Sequence, residues 1–171
     1  WIRADRDGPT ESAGEQLMGL SALVTAVLYV QVVLGALLRH PGQGIETVLL
    51  VVHILGAVVA AGLVIVLGRA IRRSPPSRLL RLHRLALYGL LGVQFALGTT
   101  AYLALRSDVA AARPPSPAQI GLSTAHLATG ALLFATAVSV TLWVSRRPLL
   151  THVQHEESNE GSTPSTRTQP V

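Results

Sequence analysis

The sequence predicts an all-α membrane protein, a four-transmembrane-helix up-down-up-down bundle built from two helix-pair repeats. Hydrophobic residues make up 49% of the 171 residues and charged residues only 13%, which is more apolar than a soluble domain of this length. Four apolar runs are each long enough to cross a hydrocarbon core of about 30 Å as a helix. A span with the motif Gln-x-x-Leu-Gly is followed by a span with a single histidine, and this order occurs twice along the chain, which indicates an internal repeat.

The predicted spans are 17–38, 47–68, 85–105 and 118–145. Each is bounded by segments that contain proline, glycine or arginine, which interrupt a membrane helix. We therefore expect a polar cytoplasmic lead-in at 1–16, a four-helix bundle at 17–147 and a disordered cytoplasmic tail at 148–171. The tail is rich in Ser, Thr, Pro, Glu and Gln, a composition that does not form a packed core.

Arginine alone supplies the positive charge of the chain, since the sequence contains no lysine and the net charge is +5. The arginines lie between apolar runs, which favours membrane topology over nucleic-acid binding. One side of the predicted bundle receives both termini and most of the arginines: Arg3, Arg6, Arg69, Arg72, Arg73, Arg78, Arg81, Arg84, Arg146 and Arg147. The positive-inside rule predicts a multi-pass protein of the cell (inner) membrane with both termini in the cytoplasm.

Two histidines, His53 and His126, lie inside otherwise uncharged apolar runs. An ionisable side chain at membrane depth is costly and usually functional. Both spans run in the same direction, so the rings are expected at similar heights near the outer face. Diagonal helices of a four-helix square lie about 11–14 Å apart, which leaves room for one metal or metalloporphyrin iron between two imidazoles. A hydrogen bond between helices is the alternative, and zinc fits less well because it prefers four protein ligands.

Small and polar residues accompany both histidines. Gly56 and Gly130 would either leave a slot for a porphyrin edge or allow close helix packing, with neither favoured. Gln31 and Gln94 occur in the repeated Gln-x-x-Leu-Gly motif and are expected to link helices, with a bond to a ligand as the alternative. Arg39 would either pair with a haem propionate or extend towards the membrane interface.

These motifs together resemble the haem A synthase family, membrane enzymes that convert haem O to haem A. The residues that carry the resemblance are Gln31–Ala36 with Arg39, His53–Gly56, Gln94–Gly98 and Ala125–Gly130. Family members have two similar four-helix halves, and this sequence is similar to one half, by its polar tail the C-terminal one. The resemblance implies that His53 and His126 are the axial ligands of a haem b that passes electrons.

The sequence departs from the catalytic half of that family. A glutamate is expected about one helical turn before the first histidine, where Leu49 and Leu50 stand here, and Leu122 and Ser123 precede His126. The His-Arg pair and the cysteine pair of some members are also missing. Without a buried general base, this segment is expected to carry electrons rather than oxidise the substrate.

The resemblance implies two partners: an N-terminal catalytic half of the same enzyme, if present, and haem O as substrate of the whole enzyme. Membrane lipid and a homo-oligomer are further expected partners, and nucleic acid is not. Two other functions stay open. The chain would then be a free-standing cytochrome b module or haem-bearing membrane anchor, or a cofactor-free scaffold or transporter.

Overall fold

The structure is a computed structural model that describes residues 8–38, 46–74, 77–110 and 114–146. This part of the chain forms four helices: α1 (Gly8–Leu37), α2 (Glu46–Arg73), α3 (Arg78–Ala110) and α4 (Pro117–Ser145). Each contains an apolar segment long enough to cross a membrane. The prediction of an all-α, four-helix, multi-pass membrane bundle is confirmed. Arg39 and the predicted tail at 148–171 lie outside the described residues.

The four helices form a closed ring. α1 packs against α2 and α4, and α3 packs against the same two helices. α2 and α4 therefore lie on one diagonal and α1 and α3 on the other. Short connections between consecutive helices favour this antiparallel arrangement, because each helix can pack against the one that precedes it.

The helices extend beyond the apolar runs that predicted them. α3 begins at Arg78 rather than at residue 85 and continues to Ala110, and α1 begins at Gly8, within the predicted lead-in. The hydroxyl of Ser77 accepts a 3.5 Å hydrogen bond from the backbone N–H of Leu80, as an N-capping residue does. An arginine can occupy such a terminal turn because its long stem packs on apolar surface while its charge stays in the polar region.

α4 begins at a serine–proline pair that is typical of helix N-termini. The Ser116 side chain accepts a 3.2 Å hydrogen bond from the backbone N–H of Gln119, and Pro117 occupies the first helical position. A proline is tolerated there because the N–H that it lacks would have no partner inside the helix. This start places His126 between two and three turns into α4.

Fully buried side chains follow a heptad pattern with alternating steps of four and three residues. The pattern is Leu17, Ser21, Val24 and Leu28 on α1; Ala60, Val64, Leu67 and Ile71 on α2; Leu80 and Leu87 on α3; and Leu133, Ala137, Val140 and Val144 on α4. Such spacing keeps one seam of each helix towards its neighbours and is typical of slightly crossed helical bundles.

This core occupies one end of the bundle only. That end contains the α2–α3 connection and most of the described arginines, and we call it the arginine end. At the other end, which we call the histidine end, the described parts of the helices (29–38, 47–59, 89–107 and 114–132) contain no fully buried side chain. The bundle is therefore closely packed at its arginine end and more open around the two predicted site histidines.

Two contacts join α1 and α4 near the middle of the bundle. The hydroxyls of Thr25 and Thr141 are 3.0 Å apart, and Thr141 donates its proton to the carbonyl of Ala137. Thr25 is therefore the donor between the helices. The rings of Tyr29 and Phe134 lie 6.0 Å apart, within the range of favourable aromatic contact. These contacts hold α1 against α4 beside the open end.

Candidate functional site

The rings of His53 and His126 face each other across the diagonal of the bundle. Their centres are 6.4 Å apart and their planes are nearly perpendicular, at 84°. Both side chains are partly buried. His53 extends from α2 and His126 from α4, and the backbones of these two helices are not in contact. The two rings therefore approach each other across this separation between the helix backbones.

Each histidine ring lies over a glycine of the preceding helix. A β-carbon at Gly35 of α1 would be 3.4 Å from Cε1 of His53, and one at Gly98 of α3 would be 2.9 Å from Cε1 of His126. The second distance is shorter than real β-carbons show, so the ring can hold this position only next to glycine. Neither glycine was assigned a role from the sequence.

The glutamines make the reciprocal contact within the same pairs of helices. The amide of Gln31 lies against Gly56, and a β-carbon at Gly130 would be 2.9 Å from Nε2 of Gln94. In each hairpin, therefore, the glutamine of the first helix packs on a glycine of the second, and the histidine of the second packs on a glycine of the first. Gly56 and Gly130 have a defined role here, which is to accommodate the glutamine amides.

Two hydrogen bonds of His126 are made with Gln94. Nδ1 lies 3.2 Å from the backbone carbonyl of Gln94, and Nε2 lies 3.3 Å from the side-chain amide nitrogen. A carbonyl only accepts, so Nδ1 carries the proton and Nε2 presents its lone pair. In this tautomer a metal could bind Nε2 only in place of the Gln94 amide, with the other ring nitrogen still held by a backbone carbonyl.

Several buried polar atoms near the rings have no hydrogen-bond partner among the described residues: Nδ1 of His53, Oε1 of Gln31 and Oε1 of Gln94. Buried polar atoms in folded proteins are almost always paired, and one without a partner often marks a position where a ligand or water binds. Three such atoms around one histidine pair make this the most polar unsatisfied region in the described bundle interior.

The donor set fits two axial ligands of a single metal better than a complete protein cage. An imidazole nitrogen binds a first-row metal at about 2 Å, so two rings that ligate one ion from opposite sides have centres about 6 Å apart. The 6.4 Å between the rings is close to that value. Among the described residues, no three His, Cys, Asp or Glu side chains come together. A haem would supply the other ligands of its iron itself.

The structure brings together most of the residues predicted from the sequence: His53, His126, Gln31, Gln94, Gly56 and Gly130. Arg39 lies outside the described residues. His83 is elsewhere, at the arginine end, where its Nδ1 lies 2.9 Å from the backbone carbonyl of Leu79. A carbonyl cannot donate, so Nδ1 of His83 is the donor.

Sequence reasoning missed Gly35 and Gly98, although both end the Gln-x-x-Leu-Gly motif. Their spacing was the available signal, because a residue four positions after each glutamine lies on the same helix face. That face is the one turned towards the following helix and its histidine.

The fold and the site define a multi-pass membrane protein with two internally related hairpins and a histidine pair between them. Comparisons of the chain with known protein families, with curated proteins and with solved structures give no match.

Proposed function

We propose that this chain is a membrane haem-binding oxidoreductase domain of the haem A synthase type, and that it holds a haem b between His53 and His126 for electron transfer. The observation that carries the proposal is the pair of imidazole rings 6.4 Å apart on diagonal helices. Their separation matches two ligands of one ion, and their surroundings contain unpaired polar atoms. Iron with a flat macrocycle needs only these two protein ligands.

A bound haem would supply an iron that accepts and releases one electron. The chain's own residues would set its position and its surroundings. Gln94 holds the tautomer of His126 through its backbone carbonyl, and Gly35 and Gly98 leave room for the two rings. The surrounding helices are apolar, which would limit water near the iron. Arg39 is proposed to pair with a propionate.

The same chain is poorly suited to the oxidation itself. Between Glu15 and Asp108 the only acidic residue is Glu46, which lies at the start of α2. After Asp108 the next acidic residues are in the tail. A general base has to reach the proton that it removes, and neither histidine has a carboxylate within a helical turn. We therefore propose that a second four-helix half carries the catalytic glutamate and binds haem O.

The location follows from the arginines. A multi-pass protein of the cell (inner) membrane with the arginine end in the cytoplasm obeys the positive-inside rule. Both termini would then be cytoplasmic, and the histidine pair would lie near the outer face. Lipid and further copies of the chain are the remaining proposed partners.

A free-standing cytochrome b module or membrane anchor is the second candidate. It is favoured by the closure of the helix ring, since the described residues of the site all come from these four helices. Co-expression with a four-helix partner and measurement of haem O conversion discriminates between the two. Conversion that depends on His53 supports the synthase type, and electron transfer without a partner supports the module.

A cofactor-free scaffold or transporter is the third candidate. The contact of Gln94 with both nitrogens of His126 favours it, because that contact satisfies a buried histidine without any bound group. This candidate predicts a purified protein with no Soret absorption even when the host cells have ample haem.

The decisive experiment is visible spectroscopy of the chain purified in mild detergent from haem-replete cells. The wild type should show a six-coordinate, low-spin haem when oxidised and when reduced. His53→Ala and His126→Ala should each lose that spectrum, while His83→Ala is the matched control because its ring bonds only within α3. If both site variants keep the low-spin spectrum, the ligand assignment is wrong.

A further inference from the structure

A cavity of about 370 Å³ lies at the arginine end, where α2 meets α3. Its polar wall consists of Arg72, Ser74, Ser77, Arg78, Arg81 and Arg84. Its apolar wall includes Ile71 and Leu80, two members of the buried core. The cavity therefore joins a cluster of four positive charges to the apolar interior of the bundle, far from the histidine pair.

The four arginines have no anionic partner in the described part of the chain. Glu15 on α1 is the one acidic side chain that is described there, and no ion pair links it to them. Arg84 is partly buried, which makes its unpaired charge more costly than one in open water. Like charges that surround one cavity repel each other, and an anion between them would reverse that repulsion.

One of the two serine hydroxyls in the cavity can donate a hydrogen bond to an anion. Ser74 donates its proton to the carbonyl of Ala70 over 3.1 Å, so it has no second proton to offer. Ser77 accepts from the N–H of Leu80, so its own proton remains available to an acceptor. A guanidinium matches the geometry of a phosphate through two parallel hydrogen bonds. Arginine and serine together favour a phosphate over a simple halide.

We propose that this cavity binds the phosphate headgroup of an anionic membrane lipid. It lies at the ends of two membrane-spanning helices, at the depth where headgroups are found, and basic pockets between such helices are suited to anionic lipids. The positive-inside rule accounts for arginines on this side of the membrane. It does not require four of them to line one cavity that has an apolar wall.

The test compares two double variants with equal net charge. Arg78→Gln/Arg81→Gln removes two charges from the cavity, and Arg69→Gln/Arg73→Gln removes two from the same end outside its lining. Each protein is exchanged into detergent with equal phosphatidylglycerol and phosphatidylcholine, and the retained lipid is measured by native mass spectrometry. The wild type and the control pair should retain phosphatidylglycerol preferentially. The cavity pair should lose that preference by about tenfold or more, since a single hydrogen bond between charged groups contributes about tenfold.

Equal loss of preference in both double variants would indicate unspecific interfacial charge and overturn the proposal. Displacement of the lipid by excess inorganic phosphate would assign the cavity to free phosphate instead of a headgroup. A second measurement needs no variant. The melting temperature of the wild type should rise on addition of phosphatidylglycerol and stay unchanged with phosphatidylcholine, and equal effects of the two lipids would also contradict the headgroup site.

Discussion

Gly98 on α3 lies directly beneath the ring of His126 on α4, so close that a β-carbon at position 98 would be 2.9 Å from Cε1. The ring has little freedom to move away, because both of its nitrogens are bonded to Gln94. The position of a proposed iron ligand thus depends on the absence of one methyl group on a neighbouring helix.

Gly98→Ala should therefore weaken haem binding without unfolding the bundle. The added methyl group forces the His126 ring out of its place, and changes beside a metal ligand typically reduce metal affinity about tenfold or more. Haem content per protein and the fraction of low-spin iron, both from visible spectra, measure the effect. Gly89→Ala on the same helix is the control, since nothing lies within 4 Å of its new methyl group.

The corresponding substitution in the first hairpin should be milder. A β-carbon at Gly35 would be 3.4 Å from the His53 ring, an ordinary contact distance. We expect haem retention to be highest in Gly89→Ala, lower in Gly35→Ala and lowest in Gly98→Ala. Equal retention in Gly98→Ala and Gly89→Ala would show that the ring is not held against the glycine.

A double-mutant cycle tests the packing of Gln31 on Gly56. In Gly56→Ala the new methyl group overlaps the Gln31 amide, whose Cδ would lie 3.1 Å away. Because the amide is the end of a flexible side chain, the cost should be near the low end of overpacking, about 1 kcal/mol. In the Gln31→Ala background the obstacle is absent, and the same substitution should be neutral or slightly stabilising.

The free energy of unfolding, measured by titration from mild detergent into dodecyl sulfate, gives all four corners of this cycle. We expect a coupling of about 1 kcal/mol between the two positions, as for residues in direct contact. Additive effects would mean that Gln31 does not pack on Gly56. The measurement needs no bound cofactor, so it tests the hairpin geometry separately from the proposed function.

Gly68→Ala should destabilise the closely packed arginine end. A β-carbon there would overlap the phenol of Tyr88, with Cε1 only 2.7 Å away. The hydroxyl of Tyr88 donates to the carbonyl of Ile65 over 3.3 Å, so a displaced ring also loses this bond. A rigid ring yields less readily than an amide, and the expected cost is about 1–3 kcal/mol.

Thermal unfolding followed by circular dichroism measures this difference, with Gly62→Ala on the same helix as control. Gly62 has open space where its β-carbon would be. The control should melt at or slightly above the wild-type temperature, because alanine is the better helix former. Identical melting of the two variants would show that α2 and α3 are farther apart at this level than the structure has them.

The four spans and the level of the histidines were predictable because both depend on distance along a helix. The length of an apolar run determines whether its helix crosses the membrane. A rise of 1.5 Å per residue brings His53 and His126 to similar heights. The distance between the rings was not predictable. That distance depends on the crossing angles of the helices and on side-chain rotamers. Neither can be derived from the sequence of four spans made of similar apolar residues.

The confinement of the core to one end was likewise not visible in the sequence. Leu and Val occur along the whole of α2, yet Ala60, Val64, Leu67 and Ile71 are buried while Val52 and Leu55 are exposed. Hydropathy does not distinguish a residue that faces lipid from one that faces another helix. The heptad spacing becomes informative only once the neighbouring helices are known.

The two histidines differ in the bonding of Nδ1, which imidazole rescue can detect. Nδ1 of His126 donates to the carbonyl of Gln94, whereas Nδ1 of His53 has no partner among the described residues. In His126→Gly, added imidazole can replace the ring and donate to that carbonyl, but 1-methylimidazole has no N–H to donate. Imidazole should therefore bind about fivefold more tightly there, which corresponds to one hydrogen bond of about 1 kcal/mol.

In His53→Gly the two compounds should restore the low-spin spectrum at similar concentrations, since none of the described residues offers an acceptor to that nitrogen. The comparison between His126→Gly and His53→Gly controls for the size and basicity of the added ring, because the same two compounds are added to both variants. Spectral titration of the haem-loaded variants gives the four affinities. A preference for imidazole that is equal at both positions would contradict the tautomer assigned to His126, and with it the role of the Gln94 carbonyl in orienting the ligand.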